Sequence, residues 1–149
     1  MPARDISASL EDYLEAIHAI VSAGDKPRVK AIAAQLGVRA SSVTAALHQL
    51  AERRLVDYVP YGAITLTPRG IRTARDVAGR HHALRAFFGE VLGVEPDLAD
   101  ATACRVEHTI PPELHQRLSA FIAHLRDHPG CVAAFHRSLA APDAREGTP

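Results

Sequence analysis

The densest group of potential metal ligands in this sequence lies at Cys104, Glu107 and His108. Residues three and four apart share one face of a helix, so a helix here would bring the three side chains together. A thiolate, a carboxylate and an imidazole on one face form half of a site for a borderline transition metal. A buried thiol beside a surface Glu-His pair would give the same spacing, and the motif alone does not choose between them.

His81 is the second potential ligand. It falls in helical register with Val77, Leu84 and Phe88, so we expect it to face inward, whereas His82 faces outward. A single histidine on an apolar face is more often a core residue than a metal ligand. The thiol-bearing segment that follows favours the ligand interpretation.

Two carboxylates on the first predicted helix extend the group. The apolar stripe of this helix is centred on Leu10, Leu14 and Ile17, and Asp12 and Glu15 lie on the opposite side of the helical wheel. By spacing alone a solvated acidic face is the preferred interpretation. The functional interpretation is that this helix donates two carboxylates to a metal held mainly by the second half of the chain.

The N-terminal half has the pattern of a winged helix-turn-helix. Its first helix is predicted to begin at an N-cap at Ser9 and to end at Gly24. A short second helix spans residues 29–36 and stops at Gly37, and a third helix is capped by Ser41 or Ser42. After Leu55 the apolar period changes to two, which predicts a β-hairpin of residues 56–59 and 63–66.

The second half is predicted to be entirely helical. Thr67-Pro68 begins a helix that runs to Gly93, because proline suits the first helical position. Two further helices follow, from Pro96 to about 108 and from Pro112 to about 128, and Pro129-Gly130 breaks the last one. The predicted domains are residues 1–75 for the winged helix and 76–140 for metal binding and dimerisation, with a flexible tail at 141–149.

The charge distribution supports a nucleic-acid partner although the net charge is zero. Residues 26–80 hold ten Lys and Arg against three acidic residues, a net charge of +7, so the remainder carries −7. A basic block of this size indicates a surface that faces phosphates. A winged helix used for protein contacts, with its arginines merely solvated, is the alternative.

The third helix has the features of a recognition helix. With Val43, Leu47 and Leu50 buried, Gln49 would face outward and can pair bidentately with adenine, and Ala45 is small enough to contact a thymine methyl group. The predicted DNA-binding residues are Arg28, Arg39, Ser41, Ser42, Thr44, Ala45, His48, Gln49, Arg53 and Tyr61.

From about Ser9 to His128 the chain resembles the diphtheria-toxin-repressor and manganese-transport-regulator family of metalloregulators. The resemblance rests on five segments, at residues 10–15, 40–44, 66–70, 80–81 and 103–108. It implies six metal ligands, namely Asp12, Glu15, His81, Cys104, Glu107 and His108. The set is a hybrid, since Asp12 matches the manganese branch and Cys104 the iron branch. Two ancillary-site positions of the iron branch are Arg85 and Asp100 here, which puts that second site in doubt.

The expected activity is that of a metal-dependent repressor. Carboxylates favour Mn²⁺, with Fe²⁺ close behind, and the imidazoles and thiolate also permit Zn²⁺ or Co²⁺ in vitro. We expect a homodimer on a palindromic operator in double-stranded DNA, in the cytoplasm, with no membrane or organic substrate as partner. Dimerisation is predicted through the helices of residues 80–108 together with an apolar stripe of Leu114, Leu118, Phe121 and Leu125.

Two other functions compete with this one. A winged-helix regulator that responds to oxidant or to a small molecule, with Cys104 or Cys131 as the sensing thiol, would need no metal. A metal-dependent enzyme has little support, because the chain has no His-Glu-x-x-His motif, nucleophile elbow or phosphate loop. Whether a further metal binds near the C-terminus is left open, at His115, His124, His128, Cys131 and His136.

Overall fold

The structure is a computed structural model that describes residues 6–140. Over this range the chain forms seven α-helices and one two-stranded antiparallel sheet. It divides into two compact units, the first ending at Gly79 and the second beginning at Arg80. The mainly helical class, with a winged helix-turn-helix followed by helices, is confirmed. The predicted tail at 141–149 lies outside the described residues.

The first helix, α1, spans Ala8–Ser22 and is capped by Ser7. The Ser7 hydroxyl accepts a hydrogen bond from the Leu10 amide at 3.4 Å, which satisfies one of the free amides of the first turn. The predicted N-cap at Ser9 is therefore wrong, because Ser9 already lies inside the first turn. Gly24 follows the helix with a φ of +86°, a conformation that glycine adopts without strain.

The helix-turn-helix consists of α2 (Val29–Leu36) and α3 (Ala40–Glu52). The predicted bounds of α2 and its end at Gly37, which has a φ of +65°, are confirmed. The predicted caps of α3 at Ser41 or Ser42 are wrong, because Arg39 occupies the cap and makes no side-chain capping bond. The turn is three residues long, so the α3 backbone starts before the serines and leaves both in its first turn.

The wing is a hairpin of β1 (Val56–Tyr58) and β2 (Ile64–Leu66), in which Val56 lies opposite Leu66. Each strand is one residue shorter than predicted, and the loop carries Tyr61 at a φ of +62°. The next helix, α4, spans Pro68–Ala86. Thr67 caps it as predicted, since its hydroxyl accepts from the Gly70 amide at 3.0 Å.

The core of the first unit is formed by the apolar faces of α1, α2 and α3 with both strands. Leu14, Ile17, Ile32, Val43 and Leu50 have no solvent exposure. Burial of side chains of this size stabilises a fold by roughly 1.5–3 kcal/mol each. This core does not include Asp12 or Glu15 of α1, nor Ala45, His48 or Gln49 of α3.

The second unit begins at Arg80, within α4, and continues through a π-helical turn at Phe87–Val91. It then contains α5 (Pro96–Val106), a 3₁₀ turn at Glu107–Thr109, α6 (Pro112–Asp127) and α7 (Pro129–Ala140). Leu84, Ala103 and Ile110 form its buried core. The π-helical turn is held by Glu90, which accepts two hydrogen bonds from Arg126 at 2.9 and 2.7 Å.

The break predicted at Pro129-Gly130 ends α6 but also starts α7, a helix that the sequence interpretation missed. Proline lacks an amide hydrogen, which the first position of a helix does not use. In α7, His136 donates from Nε2 to the Val91 carbonyl at 2.9 Å and thereby fixes this helix on the π-helical turn. Within residues 6–140, no helix has the length and apolar character required to cross a bilayer.

Candidate metal centre and nucleic-acid interface

His81 lies between two carboxylates in the second unit. Its Nδ1 is 2.6 Å from Glu107 Oε2, and its Nε2 is 3.1 Å from Asp100 Oδ1. The histidine comes from α4, Asp100 from α5, and Glu107 from the 3₁₀ turn after α5. The inward orientation predicted for His81 is consistent with its side chain, which is 18% exposed.

Glu107 is the most buried charged group of this region. Its side chain has no solvent exposure, and His108 Nε2 lies 3.4 Å from its second oxygen, Oε1. A buried carboxylate is costly unless cations or hydrogen-bond donors surround it. One carboxylate with an imidazole near each oxygen is a set of donors that suits a divalent transition metal.

The electrostatics of this group favour a cation. Burial by itself lowers the pKa of His81, but hydrogen bonds to Asp100 and Glu107, and their negative charges, outweigh that effect. The net result is a His81 pKa above its usual value of 6.5. The pair of carboxylates thus stabilises positive charge between them, whether a proton or a metal ion carries it.

Cys104 lies on α5, one turn before Glu107, and is exposed to solvent. The structure brings His81, Glu107 and His108 together, and it places the Cys104 thiol at the surface. The change from α-helix to 3₁₀ turn at Glu107 alters the spacing that the sequence interpretation assumed for this segment. Cys104 remains a predicted ligand.

Asp12 and Glu15 are half-buried residues of α1, in the first unit. They lie on the side of the helix away from Leu14 and Ile17, which are fully buried in the first core. This agrees with the wheel drawn from the sequence. Their role as metal ligands stays a prediction.

Asp100 contacts His81 although the sequence interpretation did not make it part of the site. Its carboxylate Oδ1 also lies 3.6 Å from Arg85 Nε on α4. The signal was available in the spacing, because Asp100 precedes Glu107 by seven residues, or two helical turns. The spacing alone does not predict that α4 packs against α5, which brings Asp100 to His81.

Most of the predicted DNA-binding residues lie on the surface of the first unit. On α3, Ser41, Ser42, Ala45, His48 and Gln49 are exposed, as are Arg28 and Arg39 before it. Tyr61, at the tip of the wing, is fully exposed. The predicted recognition face of α3 is thus accessible along its length.

Three of these residues also have structural roles. The half-buried Thr44 donates its hydroxyl to the Ala40 carbonyl at 3.1 Å. Arg53 donates to the Gln49 carbonyl at 3.0 Å, which satisfies a carbonyl at the end of α3. The His48 ring packs edge-on against Tyr58 with centroids 5.3 Å apart, and so links α3 to the wing.

The C-terminal histidines and Cys131 have a different arrangement. The rings of His124 and His128 stack with centroids 4.2 Å apart, and His136 is bonded to the Val91 carbonyl. Across the described range 6–140, none of His115, His124, His128, Cys131 and His136 belongs to a group of three or more converging metal-binding side chains. The second metal site left open above gains no support.

Two family models match successive parts of the chain. Residues 5–64 match the family described as the iron dependent repressor N-terminal DNA binding domain, and residues 67–131 match its metal binding and dimerisation domain. A helix-turn-helix-type transcriptional regulator of Methanocaldococcus jannaschii is 33% identical over 123 residues, which cover 82% of this chain and 98% of that protein.

Two further similar proteins are described as a transcriptional regulator and a transcriptional repressor. The transcriptional regulator MntR of Salmonella typhimurium is 32% identical over 119 residues, which cover 80% of this chain and 73% of that one. A solved structure described as a manganese-dependent transcriptional repressor in complex with manganese is 34% identical, with a TM-score of 0.67 over 76% of this chain. The match covers 52% of that longer protein.

Proposed function

The chain belongs to the iron-dependent repressor family, whose DNA-binding and metal-binding domains it carries in order, and we propose that it is a Mn²⁺-activated repressor. Members of this family are transcriptional regulators, so the chain is a metal-dependent DNA-binding regulator and not an enzyme. We expect it to act in the cytoplasm, where its DNA would be. Fe²⁺ is the second choice of metal.

The observation that carries the proposal is the buried Glu107 carboxylate with His81 and His108 beside it. These three residues would hold the divalent cation, with the predicted ligands Asp12, Glu15 and Cys104 completing the set. The cation would supply positive charge to a carboxylate that burial has removed from water. Three carboxylates in the set favour Mn²⁺, as does the similarity to a manganese-dependent transcriptional repressor.

The exposed face of α3 supports DNA binding through the major groove. Gln49, His48 and Ala45 are exposed on this face, and we propose that the exposed Arg28, Arg39 and Tyr61 contact the phosphate backbone. We propose a palindromic operator, since helix-turn-helix dimers read paired half-sites.

A homodimer is supported by the apolar surface of α6. Leu114 and Phe121 are 50% and 48% exposed, and Leu118 and Leu125 on the same stripe are half-buried. The matched family domain is described as one of metal binding and dimerisation. We propose that this stripe lies in the dimer interface.

The test measures DNA affinity by fluorescence anisotropy across Mn²⁺, Fe²⁺, Co²⁺ and Zn²⁺. The duplex is first selected from a random-sequence library with the Mn²⁺-loaded protein. Mn²⁺ and Fe²⁺ should tighten binding, and excess chelator should reverse the effect. An affinity that no metal changes would refute the sensor assignment. If oxidant altered the affinity without metal, the thiol-sensing alternative would replace it.

A further inference from the structure

The two nitrogens of the His81 ring have different surroundings. Nδ1 faces Glu107, which is fully buried, and Nε2 faces Asp100, whose side chain is 54% exposed. In a metal-binding histidine, the hydrogen bond made by one ring nitrogen determines which nitrogen is left for the metal. The contacts of His81 therefore distinguish a buried, ligand side of the ring from a solvent side.

Asp100 contacts two side chains of α4. Its Oδ1 is 3.1 Å from His81 Nε2 and 3.6 Å from the Nε of Arg85, one helical turn after His81 on α4. An ionised carboxylate oxygen only accepts hydrogen bonds, so the 3.1 Å contact requires hydrogen on His81 Nε2, whereas Arg85 at 3.6 Å forms an ion pair with the same oxygen. The same rule applies to Nδ1, 2.6 Å from Glu107, so without a metal the ring would carry hydrogen on both nitrogens. A cation on the Glu107 side would replace only the Nδ1 hydrogen and leave the one on Nε2.

We propose that Asp100 is a positioning residue for the metal centre. By accepting the Nε2 hydrogen of His81, it fixes the ring orientation and leaves Nδ1 as the metal-binding nitrogen, on the side of Glu107. Arg85, 3.6 Å away, adds positive charge beside the Asp100 carboxylate. This inference rests on the proposed function, in which His81 and Glu107 share a bound metal. Asp100 itself is not a ligand in this scheme.

Three substitutions distinguish the hydrogen bond that orients the His81 ring from a general effect of negative charge on metal affinity. Asp100→Ala removes both the hydrogen-bond acceptor and the charge, whereas Asp100→Asn removes the charge and keeps an acceptor oxygen. Asp97→Ala is the matched control, because Asp97 is an exposed aspartate in the first turn of the same helix. All variants are made in the full chain.

The first measurement is the Mn²⁺ dissociation constant, determined by competition with a fluorescent chelator. Removal of an outer partner of a ligand histidine weakens metal affinity about 10–100-fold, and we expect a loss in this range for Asp100→Ala. Asp100→Asn should lose less affinity than Asp100→Ala, because it keeps an acceptor oxygen beside Nε2. Asp97→Ala should bind Mn²⁺ like the original chain.

The second measurement reports a property that a purely structural role would not change. In the chain loaded with diamagnetic Zn²⁺ and labelled with ¹⁵N on histidine, His81 should show hydrogen on Nε2 and metal on Nδ1. In Asp100→Ala the exchange-protected Nε2 hydrogen signal should be lost or broadened, while Asp100→Asn should retain it.

The outcomes are distinguishable from those of the proposed function. If the original chain fails to bind Mn²⁺, the proposed function fails and this inference falls with it. If the original chain binds Mn²⁺ and Asp100→Ala binds it equally well, only the inference is overturned. Equal losses for Asp100→Ala and Asp100→Asn would also overturn it, as would hydrogen on Nδ1 in the loaded chain.

Discussion

His81 Nδ1 and Glu107 Oε2 lie 2.6 Å apart although 26 positions separate the two residues in the chain. The contact joins α4 to the 3₁₀ turn after α5, and it involves a carboxylate with no solvent exposure. The contact therefore depends on how α4 packs against the end of α5, and not on local sequence.

Glu107→Gln should reduce Mn²⁺ affinity by more than about 100-fold, since loss of a ligand costs more than loss of an outer partner of a ligand. The amide has the same shape but cannot neutralise a cation. Isothermal titration calorimetry measures the change. Glu113→Gln, at an exposed glutamate of α6 that pairs with Arg117, is the control. Unchanged affinity in Glu107→Gln would remove Glu107 from the ligand set.

The stability of the metal-free protein should fall as the pH rises through the raised pKa of His81. The pKa lies above 6.5 in the folded chain, so the folded state binds the proton more tightly than the unfolded state does. The stabilisation is fully present below pH 6.5 and is lost as the pH passes the folded value. Mn²⁺ affinity should change in the opposite direction, because the metal competes with this proton.

Urea unfolding of metal-free protein between pH 5.5 and 8.5, a range set by the usual histidine pKa of about 6.5, measures this dependence. His81→Gln should reduce the pH dependence of the free energy of unfolding. His82→Gln, at the exposed neighbouring residue, should leave that pH dependence unchanged. If His81→Gln retained the full pH dependence, another group would be its source.

Cys104→Ser should weaken the increase in DNA affinity caused by Zn²⁺ and Co²⁺ more than the increase caused by Mn²⁺. A thiolate binds the first two metals better than a hydroxyl does, whereas Mn²⁺ prefers oxygen ligands. DNA affinity is measured at saturating and limiting concentrations of each metal. Cys131→Ser, at the other exposed cysteine, is the matched control. Equal losses for all metals would show that the thiol does not set selectivity.

Gln49→Ala and Arg28→Ala should affect DNA binding in different ways. Loss of a bidentate contact to a base removes about 1–3 kcal/mol of the binding free energy that distinguishes the correct base from the wrong one. Gln49→Ala should therefore relax the sequence preference at one position. Loss of a phosphate contact weakens binding to all sequences and lowers the salt slope by about one. Salt titrations on the selected duplex and on a scrambled one separate the two. A change of sequence preference in Arg28→Ala would contradict the assignment.

Gly70→Ala should destabilise the first unit. A Cβ at this position would lie 1.9 Å from the Leu55 carbonyl oxygen, so the backbone would have to move. Overpacking of this kind costs roughly 1–3 kcal/mol. Thermal unfolding measures the loss, and Gly130→Ala, where a Cβ would meet no atom within 4 Å, should not reproduce it. Equal stability of both variants would refute the predicted clash.

The winged-helix part of the fold was predictable because its signals are local. The apolar period of 3.6 residues marked α1 to α3, the change to a period of two marked the hairpin, and Gly37 marked the end of α2. The errors were also local. Ser7, Ser9, Ser41 and Ser42 have equivalent capping chemistry, and only the course of the backbone decides which serine stands outside the first turn. The α7 helix was missed because proline both ends one helix and begins the next.

By itself the sequence determined which residues have the chemistry to bind a metal and that His81 faces inward from α4, because both follow from residue type and helical period. Tertiary structure alone decided that His81 meets Glu107 with one nitrogen and Asp100 with the other. That pairing depends on how α4 packs against α5 and its 3₁₀ turn. Such packing is set by the interlocking of side chains distant in the chain, on which the helical period carries no information.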